Sequence, residues 1–265
     1  MYEDDIGVAH VLADAADSVT MDRFRAQDLH VSTKPDTTLV SDADRRTEET
    51  IRATVKRARP RDAVQGEEFG TTGDAKRVWV VDPIDGTYNY VRGIPVWATL
   101  IGLRVEGTMV AGLVSAPALG RRWWAAQGSG AWSGRSLSRA TRCRVSQVST
   151  LGDACLSYTN LDGWEQIGRL DGLLNLTRLV DRTTPYGDFW SHVLVAEGAI
   201  EISTEPTGLA EHDLGALQPI VQEAGGRFTS LAGESRPARG SVVCTNGALH
   251  DAVLAALAAR PRAVT

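Results

Sequence analysis

Cysteine is scarce in this sequence. The 265 residues include three cysteines, an odd number, scattered at positions 143, 155 and 244. That usage fits a reducing compartment and argues against a thiol-rich zinc site. Long apolar runs are also missing, because none reaches the roughly 18–20 residues that a membrane span needs. The acidic start MYEDDIG lacks the basic-then-apolar pattern of a signal peptide, so we expect a cytoplasmic protein that does not bind membranes.

An excess of positive charge is missing as well. The formal net charge is −5, so the whole molecule is not expected to attract nucleic acid. The sequence has no phosphate loop of the nucleoside-triphosphatase type and no Ser-His-Asp or Cys-His arrangement in a persuasive context. The remaining composition, 43% hydrophobic and 23% charged, is that of an ordinary globular protein. The length allows one large domain or two intimate halves.

Helical and strand patterns alternate along the chain, which is typical of α/β layers. Apolar residues at helical spacing predict amphipathic helices over 4–24, 44–59, 164–174, 188–198, 213–224 and 247–259. Short apolar runs predict strands over 77–82, 121–132, 153–158, 177–181, 199–203, 227–230 and 241–246. Residues 96–117 predict a β-hairpin that turns at Glu106 and Gly107.

A polar segment rich in serine and arginine covers residues 133–146. Its arginines could indicate a site for a polyanion, but a solvated connection is the simpler interpretation. We therefore predict two halves, 1–140 and 141–265, joined near this segment. The first half would carry most of the candidate metal ligands.

Two aspartates stand close together after the strand over 77–82. In VVDPIDGTYNY, Asp82 ends the predicted strand and Asp85 follows in a turn stiffened by Pro83. A turn or helix cap explains Asp85 alone. The pair is more informative, because two carboxylates this close repel each other unless a positive charge lies between them. Magnesium suits such a place, since it prefers hard oxygen ligands.

More acidic residues occur in similar settings elsewhere. GEEFG places Glu67 and Glu68 in a loop flanked by glycines, LVSDAD places Asp44 just before a helix, and EHDLGAL places Asp213 at another helix start. Each of these alone is more often a cap or a solvated charge. Their recurrence in similar settings is less typical of chance than any one of them alone.

Three segments together resemble the inositol monophosphatase family. These are GEE, then VDPIDGTYNYVRGIPVWATLIGL, then EHDLGALQPIVQEAGG, and the resemblance extends over essentially the whole chain. It implies an α/β fold, a five-layered αβαβα sandwich, in a homodimer. It also implies a phosphomonoesterase that needs two or three Mg²⁺ ions, with Mn²⁺ as a substitute, and that acts on a small phosphorylated metabolite.

The resemblance also assigns roles to individual residues. One Mg²⁺ would be held by Glu67, Asp82 and the main-chain oxygen of Ile84, and Glu67 would also touch a third ion. The second Mg²⁺ would be held by Asp82, Asp85 and Asp213. The attacking water would be oriented by Glu67, Asp44 and Thr87, and phosphate oxygens would be bound by the main-chain amides of Gly86 and Thr87. The physics agrees, because a bridging carboxylate lets two ions clamp the attacking and leaving oxygens.

The substrate side resembles one branch of that family. RGIPVWATLI, VSAPALGRRWWAA and YGDF are similar to the actinobacterial histidinol-phosphate phosphatases, which implies histidinol phosphate as the substrate. Asp188 and Glu205 are then candidate substrate-binding residues. Asp188 would bind the ammonium group, although a helix N-cap is the plainer role. Alternatives are a myo-inositol or other polyol phosphate, a phosphate from a specialised pathway, and a phosphatase-like protein that binds without turnover.

The chain departs from the family pattern on the same side. Thr184 stands where an arginine is common, His212 stands where a tryptophan precedes the last metal aspartate, and the stretch from Glu205 to that aspartate is about one residue longer. Pro219 lies inside a predicted helix, which it should kink. His192 is interpreted as a structural or surface residue. The sequence therefore specifies the chemistry better than the substrate.

Overall fold

The computed structural model describes residues 2–34, 38–235 and 240–258. The described helices are α1 Glu3–Arg23, α2 Asp42–Ala58, α3 Thr87–Val91, α4 Leu161–Gln166, α5 Leu170–Leu179, α6 Asp188–Glu197, α7 Glu211–Gly215, α8 Leu217–Glu223 and α9 His250–Ala258. The described strands are β1 Val31–Thr33, β2 Leu39–Ser41, β3 Ala63–Gly66, β4 Gly70–Thr72, β5 Arg77–Asp85, β6 Ala98–Val105, β7 Thr108–Ala116, β8 Arg121–Ala126, β9 Gly130–Ser136, β10 Arg139–Arg142, β11 Cys155–Tyr158, β12 Arg182–Thr183, β13 Ile202–Leu209, β14 Arg227–Thr229 and β15 Gly240–Thr245.

Two large sheets organise the molecule. The first has eight strands in the order β10-β9-β8-β7-β6-β5-β3-β4, and the second has five in the order β12-β11-β13-β15-β14. Most neighbours in the first sheet run antiparallel, but β3 and β5 are parallel. Because of that parallel pair, the chain leaves β3 and β5 at the same edge of the sheet, where ligand-binding residues commonly gather.

Helices cover both faces of each large sheet, which gives five layers. Apolar residues of α1 and α2 pack on one face of the eight-stranded sheet. Those of α6, α7 and α8 fill the space between the two sheets. Those of α4, α5 and α9 cover the far face of the five-stranded sheet. The predicted five-layered αβαβα sandwich is confirmed.

The alternation of side chains along a strand explains how the eight-stranded sheet packs against helices on both faces. Successive side chains of a strand point to opposite faces. In β6, Leu100 packs toward the central helices, whereas Ile101 and Leu103 pack toward α1 and α2. A continuous apolar run is therefore what a strand between two helical layers requires.

The central helices approach the eight-stranded sheet very closely at one glycine. A Cβ atom built on Gly112 of β7 would lie 2.1 Å from the carbonyl oxygen of Ala216, between α7 and α8. Only a residue without a side chain fits there. This contact fixes the height of α7 above the sheet, and with it the position of Asp213.

Several predicted elements differ in the structure. The polar segment 133–146 was expected to be a connection, but its first part belongs to β9 and residues 139–142 form the edge strand β10. The side chains of β10 are largely exposed, so its polar composition resembled that of a loop. The helix expected over 164–174 is two helices, and the helix α5 covers most of the strand expected over 177–181. The division into halves 1–140 and 141–265 stays a prediction.

The segment expected as one helix over 213–224 is broken in two. It begins at Glu211, and α7 ends at Gly215 before α8 starts at Leu217. Pro219 is the third residue of α8. It has no N–H for a helical hydrogen bond, and its ring would clash with the preceding turn if α7 and α8 formed one continuous helix. The predicted kink is confirmed. The last residue of the helix expected over 247–259 lies outside the described residues.

No helix within the described ranges has both the length and the apolar character that crossing a membrane requires.

His250 should make the fold sensitive to acid. Its ring is fully buried between the hydroxyls of Thr229 and Thr245, at 2.9 and 3.0 Å. Burial, helped by the charge of Arg227, lowers the pKa of His250 from 6.5 to about 4. The folded state therefore binds fewer protons than the unfolded state between these values, so stability is complete above pH 6.5 and falls as the pH drops toward 4.

We expect this histidine to remove about 2 kcal/mol from the free energy of unfolding between pH 7.5 and pH 5. Urea denaturation of the unmutated protein and of His250→Gln at both pH values measures the difference. The variant should lose less stability on acidification. An equal loss in both proteins would show that His250 does not titrate in this way.

Candidate active site

The two aspartates of β5 are brought together by an irregularity in the strand. The pairing register between β5 and β6 shifts between Asp82 and Asp85. In a regular strand, residues three apart point to opposite faces, and a bulge corrects this. The N–H of Ile84 donates to Asp82 Oδ1 at 3.0 Å, and Thr99 Oγ1 donates to the Pro83 carbonyl at 2.8 Å. The expected strand end at Asp82 was wrong, because β5 continues through this bulge to Asp85.

A third aspartate joins the pair from the helical layer. Carboxylate oxygens of Asp82, Asp85 and Asp213 lie within 4.8 Å of one another. Like Asp82, the other two side chains are held by main-chain amides, because Phe189 N–H donates to Asp85 Oδ2 at 2.7 Å and Ala210 N–H donates to Asp213 Oδ2 at 2.6 Å. The three acids therefore converge from the eight-stranded sheet and from α7.

Burial dominates the electrostatics of this cluster. It raises the pKa of Asp82 and of Asp85 well above the ordinary value, and neighbouring carboxylates raise both pKa values further. The pKa of Asp213 is raised for the same first reason, although His212 opposes the change. Buried, mutually repelling carboxylates are stable as anions only beside a cation. This set of hard oxygen donors fits a divalent cation such as Mg²⁺.

Glu67 lies beside the cluster but points to a lysine. It follows β3, and its N–H donates to the carbonyl of Val81 at 3.2 Å. Its carboxylate raises the pKa of Asp82. Lys34 Nζ lies 2.6 Å from Glu67 Oε1 and 2.5 Å from Glu68 Oε1. Lys34 was missed by sequence reasoning, because more than thirty residues separate it from Glu67.

The loop that carries Glu67 is held by a buried acid of α2. Glu48 Oε2 accepts the N–H of Glu68 at 2.7 Å, and its Oε1 accepts the N–H of Phe69 at 3.2 Å. A Cβ atom on Gly66 would lie 2.0 Å from Glu48 Oε1, so this loop closes directly onto the carboxylate. Arg52 pairs with Glu48 one helical turn later, at 2.6 Å. Glu48 was missed by sequence reasoning, although its spacing from Asp44 places both on one face of the helix.

The carboxylate of Asp44 takes part in the N-terminal cap of α2 with one oxygen and faces the candidate site with the other. Its Oδ2 accepts the N–H and the hydroxyl of Ser41 at 2.7 and 2.6 Å, which caps α2. Its Oδ1 lies 3.4 Å from the hydroxyl of Thr87, which also donates to the carbonyl of Ile84 at 2.9 Å. Burial raises the pKa of Asp44 to about 6. The predicted Asp44 and Thr87 pair is present, but it is long.

Gly86 forms the sharp turn between the acids and α3. Its φ of 81° lies in the left-handed region that favours glycine. A Cβ there would lie 3.2 Å from the carbonyl of Val96 and 3.4 Å from Asp188 Oδ2. Gly86 therefore stands between the acid cluster and the candidate substrate side.

Asp188 does not cap its helix. The N-cap of α6 is Gly187, with no capping hydrogen bond from a side chain, so the plainer expected role is wrong. Its φ of 50° is unusual for a residue other than glycine. Burial, with the nearby charge of Glu205, raises the pKa of Asp188 to about 7.

A cavity of about 660 Å³ opens from this point. Asp162, Asp188 and Glu205 contribute acidic groups to its lining, and Tyr88 and Tyr186, which are about half exposed, contribute aromatic ones. The described lining contains no lysine or arginine. Such a wall favours a ligand that carries positive charge and disfavours an anionic one.

The residues that depart from the family pattern lie in different places. Thr184 donates its main-chain N–H to Leu156, and its hydroxyl lies 3.6 Å from the sulfur of Cys155. His212 Nε2 lies 3.7 Å from Asp213 Oδ1. Of the two, only His212 stands against a residue of the acid cluster.

The fold is a layered α/β sandwich, and its cluster of three aspartates suits a divalent cation. A family model described as "Inositol monophosphatase family" matches residues 1–262. The chain belongs to the inositol monophosphatase family, as its motifs predicted, and it is a phosphoric monoester hydrolase.

Individual relatives refine this picture. A protein named histidinol-phosphatase from Streptomyces coelicolor is 59% identical over 96% of this chain and 96% of its own length. Another of that name from Mycobacterium tuberculosis is 52% identical over 97% of this chain and 99% of its own. Among solved structures, the extragenic suppressor protein suhB from Bartonella henselae superposes with a TM-score of 0.86 at 31% identity, covering 96% of this chain and 98% of that one.

Proposed function

We propose that the protein hydrolyses L-histidinol phosphate to L-histidinol and phosphate. The observation that carries this proposal is the position of the acid cluster, Asp82, Asp85 and Asp213, beside a cavity whose charged lining is acidic. The cluster suits cations that bind phosphate, and the cavity suits a leaving group with an amine. The two histidinol-phosphatase relatives support the same substrate.

The metal ligands follow from the cluster. Mg²⁺ is the ion proposed, in two or three sites, with Mn²⁺ as a substitute. Glu67, Asp82 and the carbonyl oxygen of Ile84 would hold one ion, and Asp82, Asp85 and Asp213 would hold another, so Asp82 is shared. Bound there, the ions would neutralise phosphate charge and make a bound water more acidic. For Glu67 to take part, its carboxylate must leave Lys34.

The protein itself would position water and phosphate. Glu67, Asp44 and Thr87 would orient the attacking water, since Asp44 Oδ1 and the Thr87 hydroxyl already face each other. The main-chain amides of Gly86 and Thr87 would hold phosphate oxygens. Phosphoryl transfer requires little beyond such positioning and charge neutralisation.

The leaving group would lie in the acidic cavity. A carboxylate from Asp188 would accept a hydrogen bond from the ammonium group of histidinol, and Glu205 would bind on the same side. A charge-assisted bond both attracts an amine and fixes its direction. An uncharged polyol can donate only neutral hydroxyl hydrogen bonds to these carboxylates, and these are weaker than the charge-assisted bond from an ammonium group.

Phosphate release tests the proposal. The unmutated protein is incubated with histidinol phosphate, myo-inositol 1-phosphate and glycerol 2-phosphate, with magnesium and with a chelator. We expect magnesium-dependent release, fastest from histidinol phosphate. Preference for a polyol phosphate would overturn the proposed substrate, and no release from any monoester would overturn the proposed catalytic activity.

Cytoplasmic location and a homodimer also stay proposals, and light scattering on the purified protein tests the dimer.

Asp188→Asn should separate the amine contact from the chemistry. The substitution keeps the shape of the side chain and removes its charge. We expect kcat/KM for histidinol phosphate to fall about ten- to a hundredfold, while glycerol 2-phosphate, which has no amine, should lose much less. Steady-state kinetics with both substrates measures the difference. An equal loss on the two would mean that Asp188 acts on the metal site and not on the amine.

A further inference from the structure

His192 is buried next to Asp188 and Glu205 on the candidate substrate side, and it has no role in the chemistry described so far. It lies on α6 and is 1% exposed, which excludes the expected surface role and fits the structural one. Its Nε2 is 2.9 Å from Glu205 Oε1. A carboxylate can only accept, so the Nε2–H donates in this pair. The edge of the ring meets Phe228, with centroids 5.9 Å apart.

The other ring nitrogen makes packing alone a poor explanation. Nδ1 of His192 is buried and has no hydrogen-bond partner among the described residues. Leaving such an atom unpaired costs about 1–3 kcal/mol. An apolar side chain would fill the same space against Phe228 without that cost. The imidazole therefore has a use that its packing does not supply.

The geometry indicates what that use is. Asp188 and His192 are four residues apart on α6, so they lie on one face of the helix. Glu205, on β13, reaches the same region from the sheet and lines the cavity together with Asp188. One face of α6 thus presents the carboxylate of Asp188 and holds the carboxylate of Glu205 through His192, and the three side chains border one cavity of about 200 Å³.

We propose that His192 is a positioning residue, which fixes Glu205 so that its remaining oxygen faces the leaving group. By occupying Oε1, the Nε2–H leaves Oε2 of Glu205 to accept a hydrogen bond from a donor on a cationic leaving group. Glu205 and Asp188 together then bind such a group from two sides. This inference rests on the proposed function, because it concerns recognition of the same substrate.

A double-mutant cycle tests the inference. The variants are His192→Leu, which removes the donor, Glu205→Gln, and the two combined, with kinetics measured on histidinol phosphate and on glycerol 2-phosphate. We expect His192→Leu to raise KM for histidinol phosphate about tenfold, with at most about a threefold loss on glycerol 2-phosphate. The double variant should be no worse than Glu205→Gln, because both changes remove one contact.

Further variants keep the result interpretable. His192→Gln places an amide nitrogen near the position of Nε2 and should restore most of the affinity, which a purely structural histidine would not predict. If His192→Leu fails to fold, His192→Asn, whose shorter side chain ends away from Glu205, takes its place in the cycle. The matched control is His30→Gln at an exposed histidine. This variant should leave the kinetics on both substrates unchanged.

The outcomes separate this inference from the function on which it rests. Additive losses in the cycle, equal losses on both substrates, or an unchanged KM in His192→Leu would overturn the positioning role alone. No turnover of histidinol phosphate by the unmutated protein, with turnover of glycerol 2-phosphate intact, would overturn the substrate and this inference together.

Discussion

Asp82→Asn is expected to abolish magnesium-dependent phosphate release while the protein stays folded. Asp82 is 2% exposed and lies in the three-acid cluster, and the proposed mechanism shares it between two ions. Removing its charge weakens both sites at once, so we expect a loss of about a thousandfold or more in kcat/KM, equivalent to about 4 kcal/mol. Phosphate release at saturating magnesium measures this loss.

The metal-free Asp82→Asn protein should be at least as stable as the metal-free unmutated protein, although it loses activity. Asparagine has the shape of aspartate, and it removes one charge from a group of buried carboxylates that repel one another. The melting temperature of the metal-free variant should therefore equal or exceed that of the unmutated protein, while the increase caused by magnesium should shrink. Asp74→Asn, at an exposed aspartate, is the control and should behave like the unmutated protein. Turnover by Asp82→Asn within about tenfold of normal would sink the shared-ligand interpretation.

Gly112→Ala is expected to damage both stability and turnover, although it lies outside the site. The added Cβ would meet the carbonyl oxygen of Ala216 at 2.1 Å and the Cα of the same residue at 2.9 Å. Main-chain atoms cannot rotate away, so α7 and α8 must lift from the sheet. We expect a loss of about 3 kcal/mol in the free energy of unfolding. Because Asp213 moves with α7, kcat should fall about a hundredfold.

Gly7→Ala is the matched control for this substitution. Gly7 lies inside α1, and nothing lies within 4 Å of the position that its Cβ would take. Alanine there should raise the free energy of unfolding by about 0.5–1 kcal/mol and leave turnover alone. Urea denaturation and steady-state kinetics measure both variants. Normal kcat in Gly112→Ala would show that the height of α7 does not govern the position of Asp213.

Elements with a complete periodic pattern were predictable. The helix α2 and the hairpin of β6 and β7 carry apolar residues at regular spacing, and Glu106 and Gly107 both adopt positive φ at the hairpin turn. The strand β10 was not predictable, because its side chains face solvent and its arginines are typical of both loops and protected sheet edges. Periodicity reports burial, so an exposed strand leaves no pattern.

The acids of the site were found because the sequence keeps them in short motifs. Asp82 and Asp85 are neighbours along the chain, and Asp213 stands in a segment that resembles the family. Lys34 was missed because its contact with Glu67 joins distant segments. His192 was expected to be structural or on the surface; its burial excludes the surface and fits the structural role, and its contact with Glu205 came only from the structure. Sequence supplies local spacing, whereas the identity of a partner across layers comes only from the fold.

The raised pKa values in the acid cluster make ion uptake an exchange. Burial keeps the pKa of Asp82, Asp85 and Asp213 above the ordinary range, so without an ion these groups retain protons into less acidic solution. A divalent cation binds only the deprotonated oxygens. Each ion that enters therefore expels protons, and acid and metal compete for the same three carboxylates. The protein therefore releases protons into solution as it binds divalent cations. The cation concentration needed to fill the site rises as the pH falls.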